Sequence, residues 1–525
     1  MTTHFDSVVD LVTTRTAATP DRLAMIDGLD GRRWTYRQLD LAVDAIAADL
    51  DAVATDRVAV VCPPGPSFVQ LAFAAMRRGV TLVPLAPDES SEELRPKVEQ
   101  AAPDAIVCTG ETESTAVDLG STGGGIGVHR LSELIDSDES IPFGGSVDTG
   151  ADDVSGVHEA VHSPELTTTS TSAPIGDPVS LDPDWVQLIC FTSGTSGRPK
   201  GVKLTVSNLL ESANASAYRL GVDPSDRWLV PLPMHHMGGF APVIRSARYG
   251  TAVVPLRSSE PDRIAGAVST YACTGISLVP TMLRRLIDLG WEPPDSLRFV
   301  LVGGAPTPPA LVERALGAGV PIYPTYGATE TSSQVATATP SQVSTSPDTV
   351  GQPLVGTTVR IVDDEGSPVE PGGTGELLVG GPTVSSGYLD ATQTDRSFAD
   401  GWFVTGDLGH RDDAGRLWVT GRRSDRIVTG GETVDPAEVR RVLCDHPAVI
   451  DAAVVGLPDE TWGERVGAVV VVDDRSLSAE SVRSFCRDRL ATAKRPRTIA
   501  FVDDLPRTHS GTIDRDAVRR RLRDV

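Results

Sequence analysis

Eleven residues, Phe191-Thr192-Ser193-Gly194-Thr195-Ser196-Gly197-Arg198-Pro199-Lys200-Gly201, gather three glycines, four hydroxyl side chains and a lysine. They follow the apolar run Val186-Gln187-Leu188-Ile189-Cys190, which reads as a strand. A strand opening into such a loop points backbone N–H groups and hydroxyls at one place. Glycine lets the backbone come close and lysine adds positive charge, a combination suited to a polyphosphate. The spacing is not GxxxxGK[ST], because Pro199-Lys200-Gly201 stands where Gly-Lys-Ser/Thr is required. A Gly/Ser/Thr-rich stretch is often only a surface turn, and on residue types alone that reading stays open beside a phosphate loop.

The loop resembles the TSGTTGxPKGV segment of adenylate-forming enzymes, the group of acyl-CoA ligases, adenylation domains and luciferases. Further stretches resemble that family's motifs in its order: Trp34-Thr35-Tyr36-Arg37-Gln38-Leu39, Val83-Pro84-Leu85, Leu301-Val302-Gly303-Gly304-Ala305-Pro306, Tyr326-Gly327-Ala328-Thr329-Glu330-Thr331, Gly375-Glu376-Leu377, Trp402-Phe403-Val404-Thr405-Gly406-Asp407 and Gly421-Arg422-Arg423-Ser424-Asp425-Arg426. The resemblance covers about residues 20–120 and 185–520. It implies attack of a carboxylate on the α-phosphate of ATP, a meeting of anions that needs positive charge, Mg²⁺ and exclusion of water. Thr192 to Gly197 and Lys200 are then phosphate contacts, Glu330 the magnesium carboxylate, and Thr329 the neighbour of the α-phosphate. By the same resemblance Gly304, Ala305, Pro306 and Tyr326 match the adenine slot, and Gly327 is a further ATP/AMP-binding residue. Asp407 holds the ribose hydroxyls and Arg422 is a cation near ribose and phosphate. In a second half-reaction CoA attacks the acyl-adenylate after the C-terminal domain swings about Ser424, bringing Gly430 and Gly431 to the pantetheine arm.

Leu232-Pro233-Met234-His235-His236-Met237-Gly238-Gly239, Ile244-Arg245-Ser246-Ala247-Arg248-Tyr249-Gly250 and Thr329-Glu330-Thr331-Ser332-Ser333-Gln334-Val335 look closer to the o-succinylbenzoate–CoA ligases of menaquinone biosynthesis than to fatty-acyl or acetate enzymes. By that resemblance His236 and Gly303 line the acyl pocket, and Ser332 and Ser333 offer polar edges to a keto-acid with two carboxylates. Another aromatic or medium-chain acyl-CoA ligase is the alternative. One departure stands out: Pro506-Arg507-Thr508-His509-Ser510-Gly511-Thr512 carries threonine where the family's PxxxxGK motif has lysine. Arg507 or His509 are candidate substitutes, and a non-catalytic nucleotide-binding paralogue is the reading this departure keeps open.

The elements that must position these residues follow a βα alternation. Residues 57–61, 80–85, 251–256, 275–280 and 298–302 read as strands, with helical stripes at 67–78, 261–272 and 281–289. The expected fold class is therefore α/β, a large N-terminal domain of helix-covered parallel sheets. Short strands and Asp-Gly turns over about 351–420 predict a small β-rich, barrel-like subdomain. A compact α+β C-terminal domain is expected over 424–525, after an N-terminal domain of 1–423. Residues 136–184, dominated by Asp, Ser, Thr, Gly and Pro, read as a flexible acidic insertion.

Composition sets the outer limits. A net charge of −24 argues against nucleic acid or an anionic membrane as partner, and no apolar run is long enough to span a bilayer. The scattered cysteines and the absence of a leader pattern predict a cytoplasmic protein with reduced thiols. Only four lysines stand against 43 arginines; with the acidic surface this predicts a halophile's protein. Oligomeric state is not legible.

Overall fold

The computed structural model describes residues 8–54, 56–122, 125–132, 180–192, 199–472, 477–507 and 513–523. The expected insertion therefore lies mostly outside the described residues. So do Ser193, Gly194, Thr195, Ser196 and Gly197 of the phosphate loop, and His509 and Thr512 of the C-terminal motif.

Two sheets form the large N-terminal domain. In the first, the order is Lys200–Thr205, Val186–Thr192, Thr81–Pro84, Arg57–Val61, Ala105–Cys108 and Gly127–Arg130. All of its neighbours pair in parallel except the pair that flanks the phosphate loop. The second has nine strands and a parallel centre: Ile322–Ala328, Phe299–Val302, Gly275–Leu278, Arg227–Val230, Ala252–Pro255 and Leu23–Ile26. These central strands are short and apolar on both faces, because helices cover both sides. One core joins the sheets: Val58, Val60 and Leu82 of the first meet Val230, Val253 and Phe299 of the second through the helices Tyr36–Val53, Pro66–Arg78, Val206–Leu220 and Met237–Tyr249.

Local chemistry starts these helices where they start. Thr35 with Gln38, Ser90 with Glu93 and Thr205 with Asn208 are reciprocal capping pairs, and Pro66, Pro261 and Pro280 sit in first turns. The turn-rich region becomes an antiparallel five-stranded sheet from Thr358–Val362 to Leu417–Arg422. Beyond it a small α+β domain packs Pro436–Cys444, Ala479–Arg487 and Arg515–Arg523 on a sheet whose long hairpin is Val449–Asp459 with Gly463–Val472. Among the described residues no helix is long and apolar enough to cross a membrane.

Candidate active site

The strands on either side of the Gly/Ser/Thr-rich stretch pair antiparallel, with Lys200 across from Thr192. Outside this pair runs the segment 385–389, held by Lys203 N–H donating to the Gly387 carbonyl at 2.9 Å and Leu389 N–H to that of Gly201 at 2.8 Å. A Cβ at Gly201 would lie 2.6 Å from a Leu389 methyl, so glycine lets the two segments run this close without displacing Leu389. The segment delivers Tyr388 between two predicted residues. Its hydroxyl donates to Glu330 Oε1 at 2.7 Å, and the Lys200 ammonium lies 5.1 Å from its ring centroid. Burial, and then Glu330, push the Tyr388 phenol well above its ordinary pKa, so it stays a donor. Glu330 sits in the short turn Thr329–Thr331, buried, with its backbone carbonyl accepting from Ser385 N–H.

A second buried carboxylate stands beside it. Asp407 accepts from the Tyr326 hydroxyl at 2.7 Å and from Arg422 Nε at 3.0 Å. Burial raises the Asp407 pKa, while Arg422 and Tyr326 oppose the rise. Burial works against the Arg422 charge, but Asp407, Asp425, Tyr326 and Glu330 together hold its pKa above the ordinary value. Thus Glu330, Tyr326, Asp407 and Arg422 share one electrostatic site. Gly303-Gly304-Ala305-Pro306 leaves the end of Phe299–Val302, the strand paired with the one carrying Tyr326. Gly304 takes φ +79° there. At Gly327 a side chain would lie 1.6 Å from the Ser333 carbonyl, so the turn into Thr329-Glu330 tolerates only glycine.

Of the residues predicted for the acyl pocket, Ser332 and Ser333 directly follow the Glu330 turn. Both have positive φ, 56° and 105°, a strained pair. The Ser332 hydroxyl donates to the Thr383 carbonyl at 2.9 Å, so any polar edge here is not that hydroxyl. The Ser332 carbonyl accepts from Ser212 Oγ at 2.6 Å, and behind Ser212, at 3.4 Å, lies Arg245. Arg245 is 1% exposed. Among the described residues no carboxylate pairs with it, its Nε has no hydrogen-bond partner, and its guanidinium faces the Trp228 ring at 5.6 Å. Burial pulls its pKa down to about 10. His236, at the start of Met237–Tyr249, is held below the ordinary imidazole value by burial and then by Lys97.

In the C-terminal domain the predicted residues divide. Ser424 is flanked by anchored neighbours: Arg423 binds Glu376 at 2.8 Å and Asp364 at 2.9 Å, while Asp425 pairs with Arg515 at 2.5 Å. A longer contact, Arg426 to Asp364 at 3.9 Å, spans the position. Gly430 and Gly431 take φ of 59° and 84° in the two-residue turn joining Ile427–Thr429 to Glu432–Val434. The space beside Gly430 is filled by the Trp462 ring, 2.4 Å from where a Cβ would sit, whereas Gly431 is open. Arg507 does not reach toward Glu330: its guanidinium lies on Asp451 at 3.2 Å. Lys494 bonds both oxygens of Glu438.

Two participants went unread in the sequence, Tyr388 and the isolation of Arg245. Ser386-Gly387-Tyr388-Leu389, following Gly375-Glu376-Leu377, was the available signal for the first.

Residues 12–389 match the family described as AMP-binding enzyme, and residues 438–512 its C-terminal domain. A 2-succinylbenzoate–CoA ligase of Bacillus cereus is 34% identical over 517 residues, 97% of each chain. The chain also resembles the o-succinylbenzoate CoA synthetase of Bacillus subtilis in complex with the acyl-adenylate intermediate, with a TM-score of 0.82, 30% identity and 98% of each chain covered. Against a double mutant of that synthetase bound with its product analogue, the TM-score is 0.69 at 31% identity and 99% coverage of each.

Proposed function

The chain belongs to the AMP-binding enzyme family, and from that premise we propose that it joins o-succinylbenzoate to CoA through an acyl-adenylate, consuming ATP, in menaquinone biosynthesis. The observation that carries the substrate is Arg245. A fully buried guanidinium with no carboxylate partner among the described residues is costly to keep, and a substrate that brings a second carboxylate gives it one. An acid with only its reacting carboxylate leaves that charge unmatched, which disfavours a plain aromatic or medium-chain acid.

In this reading Asp407, oriented by Tyr326 and Arg422, accepts from the ribose hydroxyls. Gly304, Ala305, Pro306 and the Tyr326 ring bound the adenine. Lys200 and the loop from Thr192 to Gly197 neutralise phosphate charge. Glu330 is the residue to hold Mg²⁺: it is a hard oxygen donor, fixed by Tyr388 and set beside Lys200. When bound, that ion screens the phosphates from the incoming carboxylate. His236, neutral, closes the acyl wall near Gly303, Ser332 and Ser333. The attack of the carboxylate oxygen on the α-phosphorus expels pyrophosphate. The CoA thiol then attacks the acyl carbon, releases AMP and yields its proton to solvent.

We place the pivot between the two steps at Ser424, since Arg423 is tied to one side and Asp425 to the other. Gly431 then offers the bare backbone for CoA. The six free cysteines among the described residues accord with the cytoplasm as the protein's site. Pyrophosphate release measured over a panel of acids, with and without CoA, in molar KCl tests the assignment. o-Succinylbenzoate should give the highest kcat/KM and a CoA-dependent thioester; faster turnover of benzoate or hexanoate would reject the substrate while sparing the ligase chemistry.

A further inference from the structure

Acidic residues outnumber lysines and arginines in this chain, 71 against 47, so an arginine left without a carboxylate needs a reason. Arg219, in the last turn of Val206–Leu220, is such a residue. Its one hydrogen bond among the described residues goes to the Gln352 carbonyl at 3.4 Å, and no carboxylate among them pairs with it. The helix C-terminus accounts for a cation at this place. It does not account for the burial, which pulls the Arg219 pKa down with only Tyr323 opposing.

Arg219 lines an open crevice of about 170 Å³ with Ala215, Tyr218, Thr339 and Val355. Tyr218 is 78% exposed and Val355 61%, the two most exposed large apolar side chains among the described residues. The rim is fixed before anything binds. Thr339 N–H donates to Gln342 Oε1 at 2.9 Å, and Gln342 Nε2 to Gln352 Oε1 at 3.2 Å. Gln352 Nε2 in turn donates to the Ala414 carbonyl at 3.0 Å. The turn carrying Val355 is closed by Thr357 N–H on the Leu354 carbonyl at 3.0 Å, with Gly356 at φ +81°.

These walls select a ligand class. One guanidinium fork matches a carboxylate in two parallel hydrogen bonds, whereas free phosphate or sulfate needs donors on more sides than this crevice offers. The Tyr218 ring favours an aromatic body, which packs on it offset or edge-on, and Val355 and Ala215 add apolar contact. A space of this size is close to the ~150 Å³ that admits one benzene ring. We propose that the crevice is a second, peripheral binding site for a single-ring aromatic carboxylate, its charge on Arg219 and its ring against Tyr218 and Val355. The site shares no residue with the nucleotide and acyl ends and stands whether or not the ligase reading holds. Its link to them is the helix Val206–Leu220, which carries Ser212 about 10 Å earlier along its axis.

Photolabelling of the full chain with para-azidobenzoate, followed by peptide mapping, reads this site apart from the acyl pocket. Label should appear on the peptides that carry Tyr218 and Val355. Benzoate should compete for it, while benzamide, which lacks the charge, and acetate, which lacks the ring, should not. Arg219→Met should cut that label about tenfold at a fixed probe concentration. Arg219→Lys, which keeps the charge but not the fork, should restore only part of it. Tyr218→Ala, at an exposed position that the fold does not need, should lower the label on the Val355 peptide. No label on either peptide, equal competition by benzamide, or label that survives Arg219→Met would each overturn the proposal. So would self-association that Tyr218→Ala abolishes, since a second copy would then cover the patch.

Discussion

The proposed nucleotide end and the proposed acyl end of this site pose opposite problems. At the nucleotide end the buried carboxylates already have protein partners: Asp407 has Tyr326 and Arg422, Glu330 has Tyr388. Those partners aim the remaining oxygen lone pairs, and the groups are ordered before any ligand arrives. At the acyl end Arg245 is as deeply buried, but its best hydrogen bond is a 3.4 Å contact to Ser212. One end is satisfied and waits for a ligand to be positioned; the other is unsatisfied and waits for a ligand to complete it. A polar group left unmatched in a core otherwise costs stability, and the proposed substrate is the one that brings a charge to match it.

The largest test of this contrast is at Glu330. Glu330→Gln keeps the shape and an acceptor for Tyr388 but removes the charge. Adenylate formation should fall by about 10²–10³, with the thioester step from preformed adenylate little changed. Equal losses in both steps would mean that Glu330 supports the fold and not the metal. Arg245→Met should separate stability from function. Thermal unfolding should show a gain of about 1–3 kcal/mol as the unpaired charge leaves the core, while kcat/KM for o-succinylbenzoate falls about 10–100-fold and that for benzoate holds steady. A variant that loses stability would show Arg245 to be structurally compensated, and the contrast between the two ends would collapse. Tyr388→Phe should be milder: losing one hydrogen bond to a charged group, about 1.5–3 kcal/mol, should raise the Mg²⁺ concentration needed for half-maximal rate and leave KM for the acid alone.

Much of the fold was legible because apolar period and punctuation agree. Val58-Ala59-Val60-Val61, Leu82-Val83-Pro84 and Phe299–Val302 are continuous apolar runs, and Gly79 and Gly250 cap helices in the left-handed conformation. The site was legible where one segment holds several members, as in Tyr326 to Glu330. It was not legible where members meet only through the fold. Tyr388 reads as an aromatic after a glycine turn, and its place against Glu330 exists only because 385–389 runs beside Lys200–Thr205. Arg245 lies within a helix and looks like an ordinary polar position; its isolation comes from burial among Ser212 and Trp228. At Gly430 the positive φ serves the hairpin and the Trp462 ring fills the space a side chain would take, neither of which the glycine pair itself reveals. The helix Arg515–Arg523 is hard to read from sequence because its arginines mask the two buried residues, Val518 and Leu522, that dock it.

The smallest effect belongs to His236, and it decides which group at the acyl end carries charge. Burial, reinforced by Lys97, lowers its pKa below 6.5, against the pull of Glu89 and Asp88. Lys97 is itself paired with Glu89. A base whose folded-state pKa is depressed contributes no penalty above its unfolded value. As pH falls below 6.5 the unfolded chain takes up a proton that the folded chain refuses, and stability is lost until the folded group also titrates. Unfolding midpoints should therefore decline below pH 6.5, and His236→Asn should remove part of that decline. Between pH 6.5 and 8 the imidazole is neutral, so the rate of adenylate formation should show no limb that depends on His236. A limb in that window that vanishes in His236→Asn would mean the imidazole is charged there. The substrate's second carboxylate would then have a cation other than Arg245 to meet, and the single-charge account of the acyl end would have to be abandoned.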